Sequence, residues 1–339
     1  MKVEATAPGK VALLGEYAVL EGAPALAVAV DRRARARIET AAGGVCRVTA
    51  PEVGCRGTEF EMSPRGHVVW RGADDPARFA LFSAVIERLA LTVPNLRDFD
   101  AVLCTSGFFH SGAKLGLGSS AALTVALVSA LLQFSKARLD PENSLGLMLD
   151  VHASLQGGGS GLDIATSFTG GLICYERASP LPRVSSIPWP PGLHLLCLWS
   201  GRPASTQQLL RAVADWRARE PEAYGAHIRR MAELARRGVD VAGAASADLL
   251  AGVVDAYADA LESLGAACGI DIMTAEHAEL RRLASKSGAA YKPSGAGGGD
   301  VGVAVAEDPS ALQRLRLAAS RAGYDAVDLA IDPAGLTCG

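Results

Sequence analysis

The sequence predicts a mixed α+β chain in two lobes, and three observations point there. Strand-like and helix-like segments alternate in both halves, a proline-rich stretch from Pro180 to Pro191 separates them, and 339 residues suffice for two domains or one large core. The stretch sets the expected lobes at residues 1–180 and 190–339. With 49% hydrophobic and 20% charged residues, the composition is that of a folded globular chain.

Val3 to Ala7 and Val11 to Leu14 read as short strands interrupted by Pro8-Gly9. Beyond a turn at Glu21-Gly22, Ala25 to Ile38 alternates like a strand. Arg32, Arg33, Arg35 and Arg37 there, interleaved with Ala34 and Ala36, fit its wet face. The polar region from Gly43 to Gly72 fits further hairpins. Asp75-Pro76 opens a helix through Leu91, since Phe79, Phe82, Ile86 and Leu89 recur at helical spacing. A strand from Asp100 to Thr105 delivers the chain to KLGLGSSAA (Lys114 to Ala122). The helix that follows, Ser119 to Phe134, is apolar nearly all round and therefore buried.

Pro141 to Leu155 is a further helix, and it runs into QGGGSGLDIATSFTGG (Gln156 to Gly171), where four glycines crowd a lone Asp163. Leu172 to Glu176 is a strand. In the second half, Leu193 to Trp199 is a strand and Thr206 to Lys286 holds three or four helices broken at Pro221, Gly238 and Gly269. The end reads as a glycine loop KPSGAGGGD (Lys292 to Asp300), strand Val301 to Ala306, helix Ser310 to Ala322 and strand Ala326 to Ile331.

A net charge of -3 with no broadly basic face suggests neither a nucleic-acid nor a membrane-surface partner. Seven scattered cysteines without a C-x-x-C pair point away from zinc and from a disulfide framework. MKVEATAPGK has no apolar signal core and no apolar run reaches spanning length, so a cytoplasmic setting is expected.

Chemistry concentrates at KLGLGSSAA. Gly116 and Gly118 let the backbone bend and come close to a ligand, while Ser119 and Ser120 meet a helix start. Unpaired N–H groups and the positive end of the helix macrodipole would stabilise a phosphate placed at Gly118 to Ala121. The same letters also fit a serine N-cap behind a glycine turn. No Lys-Ser or Lys-Thr pair closes a Walker frame.

Three glycine-bearing segments, APGKVALLGEYAVLEG (Ala7 to Gly22), KLGLGSSAA and KPSGAGGGD, stand in this order. Together they resemble the signature motifs of the GHMP kinase superfamily. The resemblance implies a ribosomal S5 domain 2-like ATP-binding lobe, a ferredoxin-like C-terminal lobe with added helices, and ATP with Mg2+ in the cleft between them. Tyr17 after Glu16 is similar to the mevalonate and phosphomevalonate kinase branches, in contrast to sugar kinases with His there, and Lys114 before the loop, Pro293, Asp300 and SGRPAST (Ser200 to Thr206) look most like the phosphomevalonate kinase branch. Mevalonate kinases carry a glutamate, a magnesium ligand, eight positions before the serine of S-G-x-D; here that position is His152.

Carried over residue by residue, the resemblance puts Lys114, Gly116, Leu117, Gly118, Ser119, Ser120 and Ala121 at the nucleotide, with Ser120 touching magnesium. Lys10 and Asp163 become the catalytic pair, Lys10 beside the transferred phosphoryl group and Asp163 facing the acceptor as base or orienting group. The acceptor side comprises Lys10, Glu16, Tyr17, Lys114, Ser160, Asp163, Arg202, Ser205, Thr206, Ser294, Gly295, Ala296 and Gly297. By their letters alone, Asp163 also fits the N-cap of a short helix, and Ser205 or Thr206 the cap of the next. The implied partner is a small-molecule acceptor, and the implied state a monomer or homodimer.

Overall fold

A computed structural model of the chain describes residues 1–41, 45–63, 65–72, 75–93, 96, 98–156 and 159–339. Its first half runs β1 (Lys2–Leu14), β2 (Pro24–Thr40), β3 (Cys46–Ala50), β4 (Cys55–Met62), β5 (Val68–Arg71), α1 (Ala80–Ala90), β6 (Phe99–Cys104), β7 (Phe109–His110), β8 (Ala113–Lys114), α2 (Ser119–Phe134), α3 (Pro141–Gln156), α4 (Leu162–Thr169), β9 (Leu172–Glu176) and β10 (Arg183–Ile187). The second half runs β11 (His194–Trp199), α5 (Thr206–Arg219), α6 (Pro221–Gly243), α7 (Ala247–Cys268), α8 (Ala275–Ser287), β12 (Ala290–Pro293), β13 (Val301–Ala306), α9 (Pro309–Arg321), β14 (Asp325–Val327) and β15 (Thr337–Cys338). The α+β class read from the sequence is the class found. Gly43 in the predicted hairpin region, and Gly157 and Gly158 beside Asp163, lie outside the described residues.

The large sheet is built on the long β2. One edge of β2 pairs with β1, and the other pairs with β9 near its start and β6 near its end. The two strands expected around Pro8-Gly9 are one strand with a break in register: Pro8 faces Arg33 but Gly9 faces Val30. Proline lacks a ladder donor and glycine tolerates the bend, so the pair makes a bulge instead of ending the strand. On β2, Ala34, Ala36 and Ile38 are fully buried as the alternation predicts. Arg33 departs from the wet-face reading. Its Nε donates to Thr6 Oγ1 at 2.8 Å, and its guanidinium pairs with the Asp332 carboxylate.

Three other expectations change. Asp75 does open a helical segment, its Oδ1 accepting from Ala77 N at 3.1 Å, but the first turn is 3₁₀ and the α-helix starts at Ala80. Gly238 does not break a helix; it lies inside α6, where a Cβ would sit 2.0 Å from Leu14 Cδ1. Close helix-to-strand approach, not chain reversal, uses that glycine, and the break comes after Gly243. The Pro180–Pro191 stretch contains β10, which pairs with β9 and so extends the large sheet.

The second half forms a four-stranded antiparallel sheet in the order β12-β13-β11-β14. The chain then returns: Ile331 bridges to Val30, and β15 pairs with β1. One apolar cluster runs from Val11, Leu14 and Val28 through Met231, Ala235 and Leu261 to Cys197 and Val303. Helices α6 and α7 therefore bury one face on each lobe. Helices α1 to α3 cover the other face of the large sheet, and α8 and α9 the other face of the small one. The lobes thus share one apolar core, which brings segments of both together.

Candidate active site

The bulge in β1 begins the site. A Cβ on Gly9 would lie 2.8 Å from the Leu117 carbonyl oxygen, an approach that glycine alone admits. Lys10 then donates its backbone N–H to that carbonyl at 2.9 Å. Main chain thus ties the first motif to the second.

Helix α2 starts behind Gly118, whose φ is +76°, and no side chain caps it. Of the two readings of this loop, the serine cap is therefore not the one adopted. The first intrahelical bond runs from Ala122 N to Gly118 O at 3.0 Å, which leaves the N–H groups of Ser119, Ser120 and Ala121 ahead of it. Such a terminus favours an anion. The Leu117 and Ala121 side chains are in the core, so these two residues present main chain only. Lys114 is exposed on β8, just before the loop.

The third motif closes on the same loop. A Cβ on Gly116 would meet Asp300 Oδ2 at 2.4 Å, and Asp300 Oδ1 accepts from Ala204 N at 3.1 Å. Burial pushes the Asp300 carboxyl up, while the Ala204 N–H and the ammonium groups of Lys10 and Lys114 pull it back.

Asp163 sits in the first turn of α4, but Gly161 is the N-cap. Its carboxylate is turned instead to Lys10, with 3.5 Å between Nζ and Oδ1. The lysine side chain is 7% exposed and the aspartate 34%, so the pair opens to solvent on the carboxylate side. Asp163 Oδ2 also lies 3.4 Å from where a Cβ on Gly118 would stand, which brings a carboxylate oxygen to the end of the phosphate loop.

Behind them Ser120 Oγ lies 3.2 Å from His152 Nε2. Burial lowers the His152 pKa against the opposing pull of Asp163, so the imidazole favours its neutral form. Among the described residues no group of three or more His, Cys, Asp or Glu surrounds a metal position. Asp163 and Ser120 fit magnesium, which keeps waters and takes few protein oxygens beside phosphate.

A cleft of about 280 Å³ adjoins the pair. Of the residues assigned to the acceptor, Lys10, Glu16, Tyr17, Ser160, Asp163, Thr206, Gly295 and Ala296 line it. Tyr17 uses its hydroxyl on the Ala296 carbonyl at 2.6 Å, and burial raises its pKa, so the phenol stays protonated. Ser294 is not on the wall; its Oγ accepts from Ala12 N at 2.9 Å. Gly297 packs against Ile272. Arg202 also lies off the wall and pairs with Glu276 at 3.8 Å. Ser205 caps α5, its Oγ accepting from Gln208 N at 3.4 Å.

Two wall residues carried no sequence signal. Tyr175 donates its hydroxyl to the Ser160 carbonyl, fixing the loop before Asp163. Arg177, just past the end of β9, brings a second cation to the cleft. A third residue, Lys292, opens the glycine motif without a signal of its own; fully buried, it pairs with Glu16.

A loop whose main-chain N–H groups can receive an anion, next to an ammonium group and a pocket of small-molecule size, is suited to phosphoryl transfer. The class is a small-molecule phosphotransferase. Residues 105–171 match the family model of the GHMP kinases N terminal domain, and residues 228–325 that of the GHMP kinases C terminal. A phosphomevalonate kinase from Streptomyces sp. (strain CL190) is 31% identical over 335 residues, 88% of this chain and 88% of its own. A mevalonate kinase from Thermococcus sibiricus is 29% identical over 244 residues, 71% of this chain and 70% of its own. The fold matches Streptococcus pneumoniae phosphomevalonate kinase in complex with phosphomevalonate and AMPPNP at a TM-score of 0.78 and 21% identity, covering 97% of this chain and 99% of that one. The chain belongs to the GHMP kinase family, whose members use ATP as co-substrate.

Proposed function

We propose that the chain transfers the γ-phosphoryl group of ATP to the phosphate of 5-phosphomevalonate, giving 5-diphosphomevalonate in the mevalonate route to isoprenoids. The observation that carries this reading is the placement of two cations, Lys10 and Arg177, on one cleft beside the phosphate loop. An acceptor with a phosphate at one end and a carboxylate at the other needs both. The similarity to the Streptomyces phosphomevalonate kinase, which spans more of the chain than that to the Thermococcus mevalonate kinase, supports the same choice.

In this reading the N–H groups of Ser119 to Ala121 hold the ATP phosphates, and Ser120 and Asp163 are the residues that would hold magnesium. When bound, the ion neutralises charge on the β- and γ-phosphates. An acceptor phosphate oxygen attacks the γ-phosphorus, the bond to the β–γ bridging oxygen breaks, and ADP leaves. The attacking oxygen is already ionised, so Asp163 has no proton to take from it. Besides holding magnesium, it orients Lys10, whose ammonium offsets the repulsion between the two phosphates. Arg177 would hold the carboxylate end.

Turnover with MgATP should be measured against mevalonate, 5-phosphomevalonate and several sugars, with product mass recorded. The expected result is a phosphorylated product from 5-phosphomevalonate that retains its carboxylate. Strong turnover of mevalonate with none of its phosphate would refute the reading, and loss of carbon dioxide from the product would reassign the enzyme as a decarboxylase.

A further inference from the structure

At the cleft wall Glu16 forms an ion pair, almost wholly out of solvent, with the fully buried Lys292. Lys292, fully buried, donates its Nζ to Glu16 Oε1, to the Pro293 carbonyl at 2.7 Å and to the Ala12 carbonyl at 3.4 Å, and lies 5.9 Å from the centre of the Tyr257 ring. Glu16 Oε1 also accepts from Gly295 N at 3.3 Å, and Tyr257 donates its hydroxyl to the Glu16 carbonyl at 2.8 Å. The end of β1, the turn after it, α7 and β12 all meet here. Gly295 in turn abuts the reactive lysine: a Cβ there would stand 3.7 Å from Lys10 Nζ.

We propose that Glu16 and Lys292 are positioning residues for phosphoryl transfer, pinning the glycine loop to the strand that bears Lys10 so that its ammonium is held toward Asp163 and the phosphate loop. The inference rests on the kinase reading of the site. A buried ion pair is a poor stabiliser, because desolvating two charges cancels most of their attraction. This one is poorer still, since Glu16 Oε2 is buried with no hydrogen-bond partner among the described residues. What the pair does supply is direction: one carboxylate oxygen takes both the Lys292 ammonium and the Gly295 N–H, which sets where the loop stands. The Lys292 charge also repels that of Lys10, and the side chain of Lys10 turns to Asp163.

Lys292→Met, Glu16→Gln and the double variant separate positioning from stability. Wild type and variants are compared by kcat and KM with whichever of mevalonate and 5-phosphomevalonate the wild type turns over better. MgATP affinity is measured by calorimetry without acceptor, and stability by urea midpoint. Lys292→Met, which strands a buried carboxylate, is expected to lower the urea midpoint and to lower kcat about 100-fold, the scale of a small misplacement at a reacting centre. MgATP affinity should change less than about threefold, since the phosphate loop does not touch the pair. The double variant removes both charges and should recover the urea midpoint while kcat stays depressed. Recovery of kcat together with the midpoint, or a folded Lys292→Met enzyme with wild-type kcat, overturns the proposal. The acceptor that the wild type prefers judges the proposed substrate separately.

Discussion

At the scale of single residues, the proposed transfer rests on an ammonium and a carboxylate, Lys10 and Asp163, 3.5 Å apart beside the start of α2. Lys10→Met and Asp163→Ala should each lower kcat by roughly 10²- to 10⁴-fold; MgATP affinity should stay within a few-fold for Lys10→Met and fall further for Asp163→Ala, which also removes a magnesium-holding oxygen, checked by steady-state kinetics beside calorimetry. A pH effect comes from His277, which is buried, accepts at Nδ1 from the Tyr291 hydroxyl at 2.8 Å and donates at Nε2 to the Gly299 carbonyl at 2.9 Å. Burial holds its pKa down at about 4, against an ordinary 6.5, although the Gly299 carbonyl pulls the other way. The unfolded chain therefore takes up this proton first as pH falls. Stability should decline between pH 6.5 and 4 by roughly 3 kcal/mol from this group, and His277→Gln should flatten that part of a urea-midpoint profile. Lys10 and Asp163 were legible because they sit inside motifs. Arg177 was not, since nothing in the letters after LICYE distinguishes a cleft arginine from a solvated one.

At the scale of elements, glycine positions are the parts that sequence reads least evenly. Those before α2 were legible, since a loop-to-helix transition with two glycines has few uses, and Gly116 and Gly118 both adopt positive φ. Gly238 was misread, because a helix breaker and a helix contact share one letter. Gly238→Ala gains helix propensity of about 1 kcal/mol, yet its methyl meets Leu14, itself fully buried. The net expectation is a destabilisation of about 1–2 kcal/mol, read as a lower urea midpoint with unchanged slope. Helix caps divide in the same way. Ser205 caps α5 as its letters allow, whereas α4 takes Gly161 as its cap and so frees Asp163 to face Lys10.

At the scale of the whole molecule, the two lobes are joined three times over: by α6 and α7 in a shared core, by the Glu16–Lys292 pair, and by the return of the chain end to β1. Arg33 fastens that return, holding Asp332 and, through a second nitrogen, the Thr337 hydroxyl at 3.1 Å. Arg33→Ala leaves a largely buried carboxylate without its partner and should cost about 2–3 kcal/mol in chemical denaturation, with little change in MgATP affinity. Asp332→Asn, which keeps an acceptor for the guanidinium, should cost less.

The letters alone determined what is local: the α+β alternation, a nearly all-apolar helix buried behind a glycine-serine loop, and three glycine segments whose backbone must come near something. Periodicity and the freedom of glycine act within a few residues, and such signals survive without coordinates. Only the tertiary structure decided which segments face one another. It turned Asp163 to Lys10, closed Asp300 on Gly116, brought Arg177 to the cleft and buried Lys292 against Glu16. Those pairings join residues up to 276 positions apart, and across such a separation no local periodicity carries the partner's identity.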